Sequence, residues 1–250
     1  MKHFGVLSLL AVLVSCGGSS GGGGNNGGEK LDPYTIDKME QAIRSQTPGM
    51  VKTETITGTS PSFNTTTEEP TLSVGSANTV IKETVLNVTG DEIYTLVEET
   101  ETGETTPVRS VKKESIEQLV RELSEPSQGL SFSTSGDVLT MRGNMSFEFE
   151  LGDPKLIYRT NLNLSGTINL NDPRCSVKTS TAQTSTIFRD GQARSSVNTN
   201  AKSSTACGRT LTRGELKAID LANISLCDET TGDDEGDNCQ YGQDLSYLVE

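Results

Sequence analysis

The stretch Val138–Leu170 reads VLTMRGNMSFEFELGDPKLIYRTNLNLSGTINL. In its first half Met145, Phe147, Phe149 and Leu151 alternate with Ser146, Glu148 and Glu150. In its second half Leu162, Leu164, Gly166, Ile168 and Leu170 alternate with Asn161, Asn163, Ser165, Thr167 and Asn169. Gly152-Asp153-Pro154 supplies the turn between them. Strict alternation marks strands with one buried and one wet face. Two matched strands with apolar faces predict a long hairpin at the centre of an antiparallel sheet. Gly166 sits on the apolar side, where it admits a neighbour's side chain or bends the sheet.

A second long hairpin follows, from Arg174 to Phe188 and from Ala193 to Gly208, around Asp190-Gly191. Placing Arg189 opposite Ala193 sets a register that puts Cys175 opposite Cys207. The turn and the cysteine spacing are independent signals, and together they predict a disulfide across the open end. These strands carry Ser and Thr on both faces, so their register needs such a clamp. Four cysteines allow three pairings. With Cys175–Cys207 taken, Cys227 and Cys239 close a small acidic loop.

Outward from these hairpins the elements are shorter. Asp32-Pro33 is an N-cap and first helical position, and Ile36, Met39 and Ile43 form a helical stripe to about Gln46. Met50 to Thr59 reads as a strand, and Ser60 to Asn78 as a polar loop. Thr79–Thr89 and Glu92–Glu101 form a hairpin around Gly90-Asp91, with Val88 facing Ile93, Val85 facing Leu96 and Lys82 facing Glu99. Pro107 to Val111 adds a short strand. Glu114 to Ser124 carries Ile116, Leu119, Val120 and Leu123 on one helical face, and Pro126 ends it. Thr212 and Glu215 make a capping box for a helix through about Leu221. Asp244 to Val249 reads as a terminal strand. The expected fold is α+β, a curved antiparallel sheet of long hairpins (half-barrel or open sandwich) with two or three covering helices. Residues 32–250 form one domain on this reading.

The N-terminus reads MKHFGVLSLLAVLVSC, with Lys2 before an apolar run from Phe4 to Val14 that is too short to span a bilayer. Its Leu13-Val14-Ser15-Cys16 ending resembles the lipobox of bacterial lipoproteins. The resemblance implies a signal peptide over residues 1–15, cleavage before Cys16, and two or three acyl chains there. A lone chain anchors only marginally. Residues 16–31 hold the lipidated cysteine and a tether, whose Gly17–Gly28 portion reads GGSSGGGGNNGG. Such a tether reaches roughly 20 Å. The implied partner is a membrane, reached through Cys16. Gly17 after the cysteine fits outer-membrane sorting, with the domain on either the periplasmic or the surface face.

Composition narrows the chemistry. The formal net charge is −13, which argues against nucleic acid and against charge-driven docking on anionic lipid. The single histidine is His3, in the leader, and there is no Trp. Histidine-based triads and His-ligated metals are therefore excluded from residues 16–250. No C-x-x-C is present, and no cofactor is expected. Three constellations remain. Ser110 and Lys113 match the S-x-x-K of serine penicillin-binding enzymes, without S-D-N, and Lys178-Thr179-Ser180 only imitates K-T-G. Glu148 and Glu150 are paired carboxylates on a wet strand face, where sugar binding would lack a Trp. Asp228–Asn238, DETTGDDEGDN, is dense in carboxylates but breaks the EF-hand order, so it reads as a solvated loop. The N-x-S/T matches at Asn64, Asn87, Asn144, Asn163 and Asn223 are products of a Thr/Ser/Asn-rich chain.

The function expected is a non-enzymatic structural or interaction role at the envelope, with lipid or envelope proteins as partners. An alternative comes from element order, which loosely resembles the half-barrel of LolA-like and LppX-like lipoprotein carriers. That resemblance implies a concave face that holds a lipid or other apolar ligand, lined by Met145, Phe147, Phe149, Leu162, Leu164 and Ile168. The competing expectation is that these six are core beneath a helix.

Overall fold

The computed structural model describes residues 30–64, 70–101, 103–125, 129–151, 156–228 and 238–250. The leader, Cys16 and its tether, the turn at Gly152-Asp153-Pro154, Pro126 and the acidic loop between Asp228 and Asn238 lie outside them.

Helix α1 (Pro33–Arg44) starts where Asp32 caps it. The carboxylate accepts from Thr35 N at 3.0 Å, and Pro33 sits in the first turn, where no N–H is missed. Helix α2 (Ile116–Leu123) is capped by Ser115, whose Oγ accepts from Gln118 N at 3.2 Å. Eight residues are too few for a helix to stand alone. Packing of Ile116 and Leu123, with Leu119 and Val120 beside them, holds it in place. Helix α3 (Arg213–Lys217) has the expected capping box at Thr212 and Glu215. It stops four residues before Leu221, which instead fills a core position from the following turn.

The strands are β1 (Val51–Asn64), β2 (Thr71–Ser76), β3 (Thr79–Thr89), β4 (Glu92–Glu101), β5 (Val108–Ser115), β6 (Leu130–Ser135), β7 (Val138–Glu150), β8 (Leu156–Asn169), β9 (Lys178–Arg189), β10 (Gln192–Cys207), β11 (Ile224–Asp228) and β12 (Asn238–Gln243). They form one open sheet in the order β12-β11-β5-β4-β3-β1-β10-β9-β8-β7-β6, with β2 added to β1 alone. The fold is strand-rich and α+β. The sheet is mixed rather than purely antiparallel, because β11 runs parallel to β5. No hairpin turn fixes the direction of β11, which reaches β5 only after β6 to β10 and α3 have been laid down.

Two cores lie on opposite faces. On the inner face Met39 and Ile43 of α1 and Ile116 and Leu123 of α2 meet Val85 and Ile93 from one side. They meet Leu130, Leu139, Met141, Leu164 and Ile168 from the other. Strands β4 and β7 are six places apart in the sheet, so they share a core only because the sheet curls around the two helices. On the outer face Leu86, Leu96 and Val111 are covered by Leu216, Leu221, Ile224, Leu245 and Leu248. The first turn of α1 also reaches the end of the sheet, where Thr134 of β6 donates to Asp32 at 2.8 Å.

Three local readings are corrected. Within the expected loop at Ser60–Asn78, Ser60–Asn64 belong to β1 and Thr71–Ser76 form β2, and the two strands pair from Thr59↔Ser76 to Asn64↔Thr71, while residues 65–69 lie outside the described residues. Gly58, at φ +144°, is where β1 leaves β10 to make this ribbon. The β3–β4 hairpin has the expected turn, but a bulge at Leu86 shifts the pairs beyond it to Val85↔Thr95 and Lys82↔Glu98. The bulge lets Val85 face the inner core and Leu86 the outer one. The terminal strand is Asn238–Gln243, and Ser246–Val249 is a short 3-10 turn that buries Leu248 and Val249.

Candidate functional site

The six residues expected to line a concave face all stand on the inner side of β7 and β8. Met145 pairs with Leu162, and Gly143 with Leu164. The inner face does not treat them alike. Leu164 and Ile168 are 7% and 2% exposed, inside the core beneath the helices. Met145 and Leu162 are half-buried, and Met145 packs against the core beneath the helices. Phe147 and Phe149, further along β7, are 40% and 51% exposed.

A second apolar zone begins there. Phe149 stacks on Tyr158 at 6.3 Å between ring centroids, and Phe63 of β1 meets the same ring at 4.9 Å. Leu72 of β2 and Ile187 of β9 complete this cluster. The β1–β2 ribbon is held over the sheet by Ser195, whose Oγ accepts from Leu72 N at 2.9 Å. Between the two apolar zones runs a polar belt. Ser185 Oγ lies 2.9 Å from Tyr158 Oη and 3.1 Å from Thr160 Oγ1, and Gln183 Nε2 donates to both Thr160 and Ser185. Sequence reasoning missed Phe63 and Leu72, lone apolar residues in a polar run, and Tyr158, whose partners are far away in the chain.

The belt continues to a charge. Glu54 of β1 is 3% exposed and accepts from Ser203 Oγ. Its Oε2 has no hydrogen-bond partner among the described residues. Burial raises its pKa, only partly opposed by the Ser203 hydrogen bond and the Lys52 ammonium. Lys52 itself is bound to Glu83 at 2.6 Å.

The other constellations resolve differently. Ser110 and Lys113 lie in β5, not on a helix, and an odd spacing in a strand sends side chains to opposite faces. They do not form a nucleophile and base. Lys113 is bound by Glu92 at 2.8 Å and Asp228 at 3.3 Å, and the two carboxylates raise its pKa, the wrong direction for a base. Glu148 is paired with Arg159 at 2.7 Å on the wet face, and Glu150 is exposed.

Both disulfides are present, with Cα separations of 5.0 Å for Cys175–Cys207 and 4.0 Å for Cys227–Cys239. Cys227 and Cys239 are direct partners across β11 and β12. Cys175 lies just before β9 rather than within it. The β9–β10 turn is also one residue tighter than expected, since Gln192 pairs with Arg189. A bulge at Arg194 then restores the expected register as far as Ser204↔Lys178, which leads Cys207 toward Cys175.

No protein-family model matches the chain, and a search of curated proteins finds none similar to it.

Proposed function

We propose that the chain is a lipid-anchored bacterial envelope protein whose folded part binds or scaffolds rather than catalyses. The observation that carries this is the Leu13-Val14-Ser15-Cys16 ending of a short apolar leader, followed by the GGSSGGGGNNGG tether. The non-enzymatic role is supported by the only histidine being His3 and by the opposed faces of Ser110 and Lys113. An outer-membrane location rests on Gly17. Metabolic labelling with a fatty acid, with cell fractionation, tests the anchor. The wild-type chain takes up label and stays with membranes, while Cys16→Ser does neither. Label on the Cys16→Ser chain would overturn the proposal. Protease treatment of intact cells then assigns the domain to one membrane face.

A second reading has its own observation. The curled sheet fits a half-barrel that α1 and α2 fill at one end only, leaving Phe147 and Phe149 open with Met145 and Leu162 behind them. An acyl chain is the ligand such a strip would take. Native mass spectrometry of the membrane-extracted chain reads this directly. Bound lipid in the wild type, lost in Phe147→Ser/Phe149→Ser, supports it. A lipid-free wild type removes it.

A further inference from the structure

A cleft of about 510 Å³ lies away from this strip, on the side where α1 approaches the Cys175–Cys207 disulfide. One wall is α1 from Lys38 to Ala42, together with Ser45 at its C-cap. The other is the chain from Leu170 to Cys175, closed by Cys207 and Gly208.

Arg174 stands in this cleft, half-buried, and its surroundings do not match its chemistry. A guanidinium offers five N–H donors and remains charged in proteins. Here Nη1 lies 3.1 Å from Met50 Sδ and Nη2 3.9 Å from Cys207 Sγ, and sulfur is a weak acceptor. Among the described residues no carboxylate comes within ion-pair distance of Arg174. Glu83 and Asp172 act on it only through their field, and Glu83 is already bound to Lys52. The position is also held firmly. Cys175 N donates to Asp172 O at 3.2 Å, and the next covalent link ties Cys175 to the end of β10. The cation is thus presented on a turn with little freedom to move away.

Asp172 lines the same cleft. Its carboxylate is within 4.8 Å of the Cys207 sulfur, the atom that Arg174 Nη2 also approaches. Among the described residues the two opposite charges flank one disulfide without pairing. Because both cysteines are oxidised, these sulfurs are not metal ligands. An unpaired guanidinium and an unpaired carboxylate on one rigid wall are complementary to a molecule that carries both charges itself.

We propose that this cleft binds a small zwitterion, its carboxylate or phosphate on Arg174 and its amine facing Asp172. The site is independent of the apolar strip on β7 and β8. The shared chemistry is an oxyanion joined to an amine, available from a free metabolite or from a phospholipid headgroup.

Titration calorimetry on the full chain tests it with O-phosphoethanolamine, glycine and inorganic phosphate. Saturable binding of at least one zwitterion is expected, tighter than that of inorganic phosphate. Arg174→Met should weaken it by about 10- to 100-fold, the loss of hydrogen bonds to a charged group. Asp172→Asn, on an exposed side chain that does not threaten folding, should weaken the zwitterion and leave or improve phosphate. Competition by phosphatidylethanolamine vesicles, and not by phosphatidylglycerol vesicles, identifies a headgroup as the source. No competition by either identifies a soluble ligand. Absence of saturable binding up to about 10 mM, a range that already covers very weak sites, overturns the proposal. So does unchanged zwitterion binding in Asp172→Asn.

Discussion

The Ser203 hydroxyl of β10 donates to one carboxylate oxygen of Glu54 in β1, and the other oxygen is buried without a partner among the described residues. A carboxylate in this position favours its protonated form, because burial costs the charged form most. The native state therefore holds its proton to higher pH than the unfolded chain does. Between the ordinary carboxylate range and the raised native value, the native state binds more protons, so stability falls as pH rises through that window. Glu54→Gln removes this slope. It should match the wild type at pH values below the ordinary carboxylate range and exceed it at neutral pH by about 1–3 kcal/mol. Urea melts across pH check this, and a variant less stable at neutral pH would refute it.

The two disulfides should differ in what they contribute. Cys175–Cys207 closes 32 residues and Cys227–Cys239 closes 12. The chain-entropy relation gives about 3.7 kcal/mol for the first and about 2.8 kcal/mol for the second. Removing Cys175–Cys207 also frees the Ser/Thr-rich β9–β10 pair, whose faces specify register poorly. The double serine variant at 175 and 207 should lose more stability in urea than the one at 227 and 239.

Gly58 tests the origin of the ribbon. An alanine Cβ there would lie 2.1 Å from Asn200 O, at a φ of +144° that L-residues avoid. Gly58→Ala should cost about 2–4 kcal/mol. Amide exchange should rise first in β2, whose only strand partner among the described residues is β1.

The inner face predicts a contrast along one hairpin. Leu164→Ala opens a cavity beneath the helices and should cost about 2–5 kcal/mol. Phe147→Ser removes a side chain that is 40% exposed and should cost under about 1 kcal/mol. Thermal unfolding of the two variants separates core from open surface. Equal losses would mean that the strip is core throughout.

Much of this architecture is legible in the sequence where a turn and an alternation coincide. Asp153-Pro154 lies between Phe149 and Leu162, and Gly90-Asp91 between Val88 and Ile93, so both hairpins are found, the first with its faces and the second as far as the Val88–Ile93 pair, beyond which the bulge at Leu86 puts Val85 and Leu96 in different cores. The cysteine register survives because two departures cancel, a tighter turn at Asp190-Gly191 and a bulge at Arg194. What stays hidden has physical causes. Ser60–Asn64 and Thr71–Ser76 are strands with almost no apolar face, so periodicity is silent there. The adjacent Val85-Leu86 pair marks a bulge only once two cores are known. The β5–β11 pairing joins segments more than a hundred residues apart, beyond any local signal. Glu54 and Arg174 look like ordinary surface charges in the sequence, and only the fold buries the first and leaves the second short of acceptors.

An open sheet leaves a row of unsatisfied backbone groups at each end, ready to recruit a strand from another molecule. Here both terminal strands are only six residues long. At one end Thr134 is tied back to Asp32 at the head of α1. At the other, the Cys227–Cys239 link fixes β12 to its neighbour. Short, fastened borders make poor templates for edge-to-edge growth. Fastening protects these two strands, whereas residues 144–150 of β7 have no strand partner on their β6 side among the described residues and keep an open edge there.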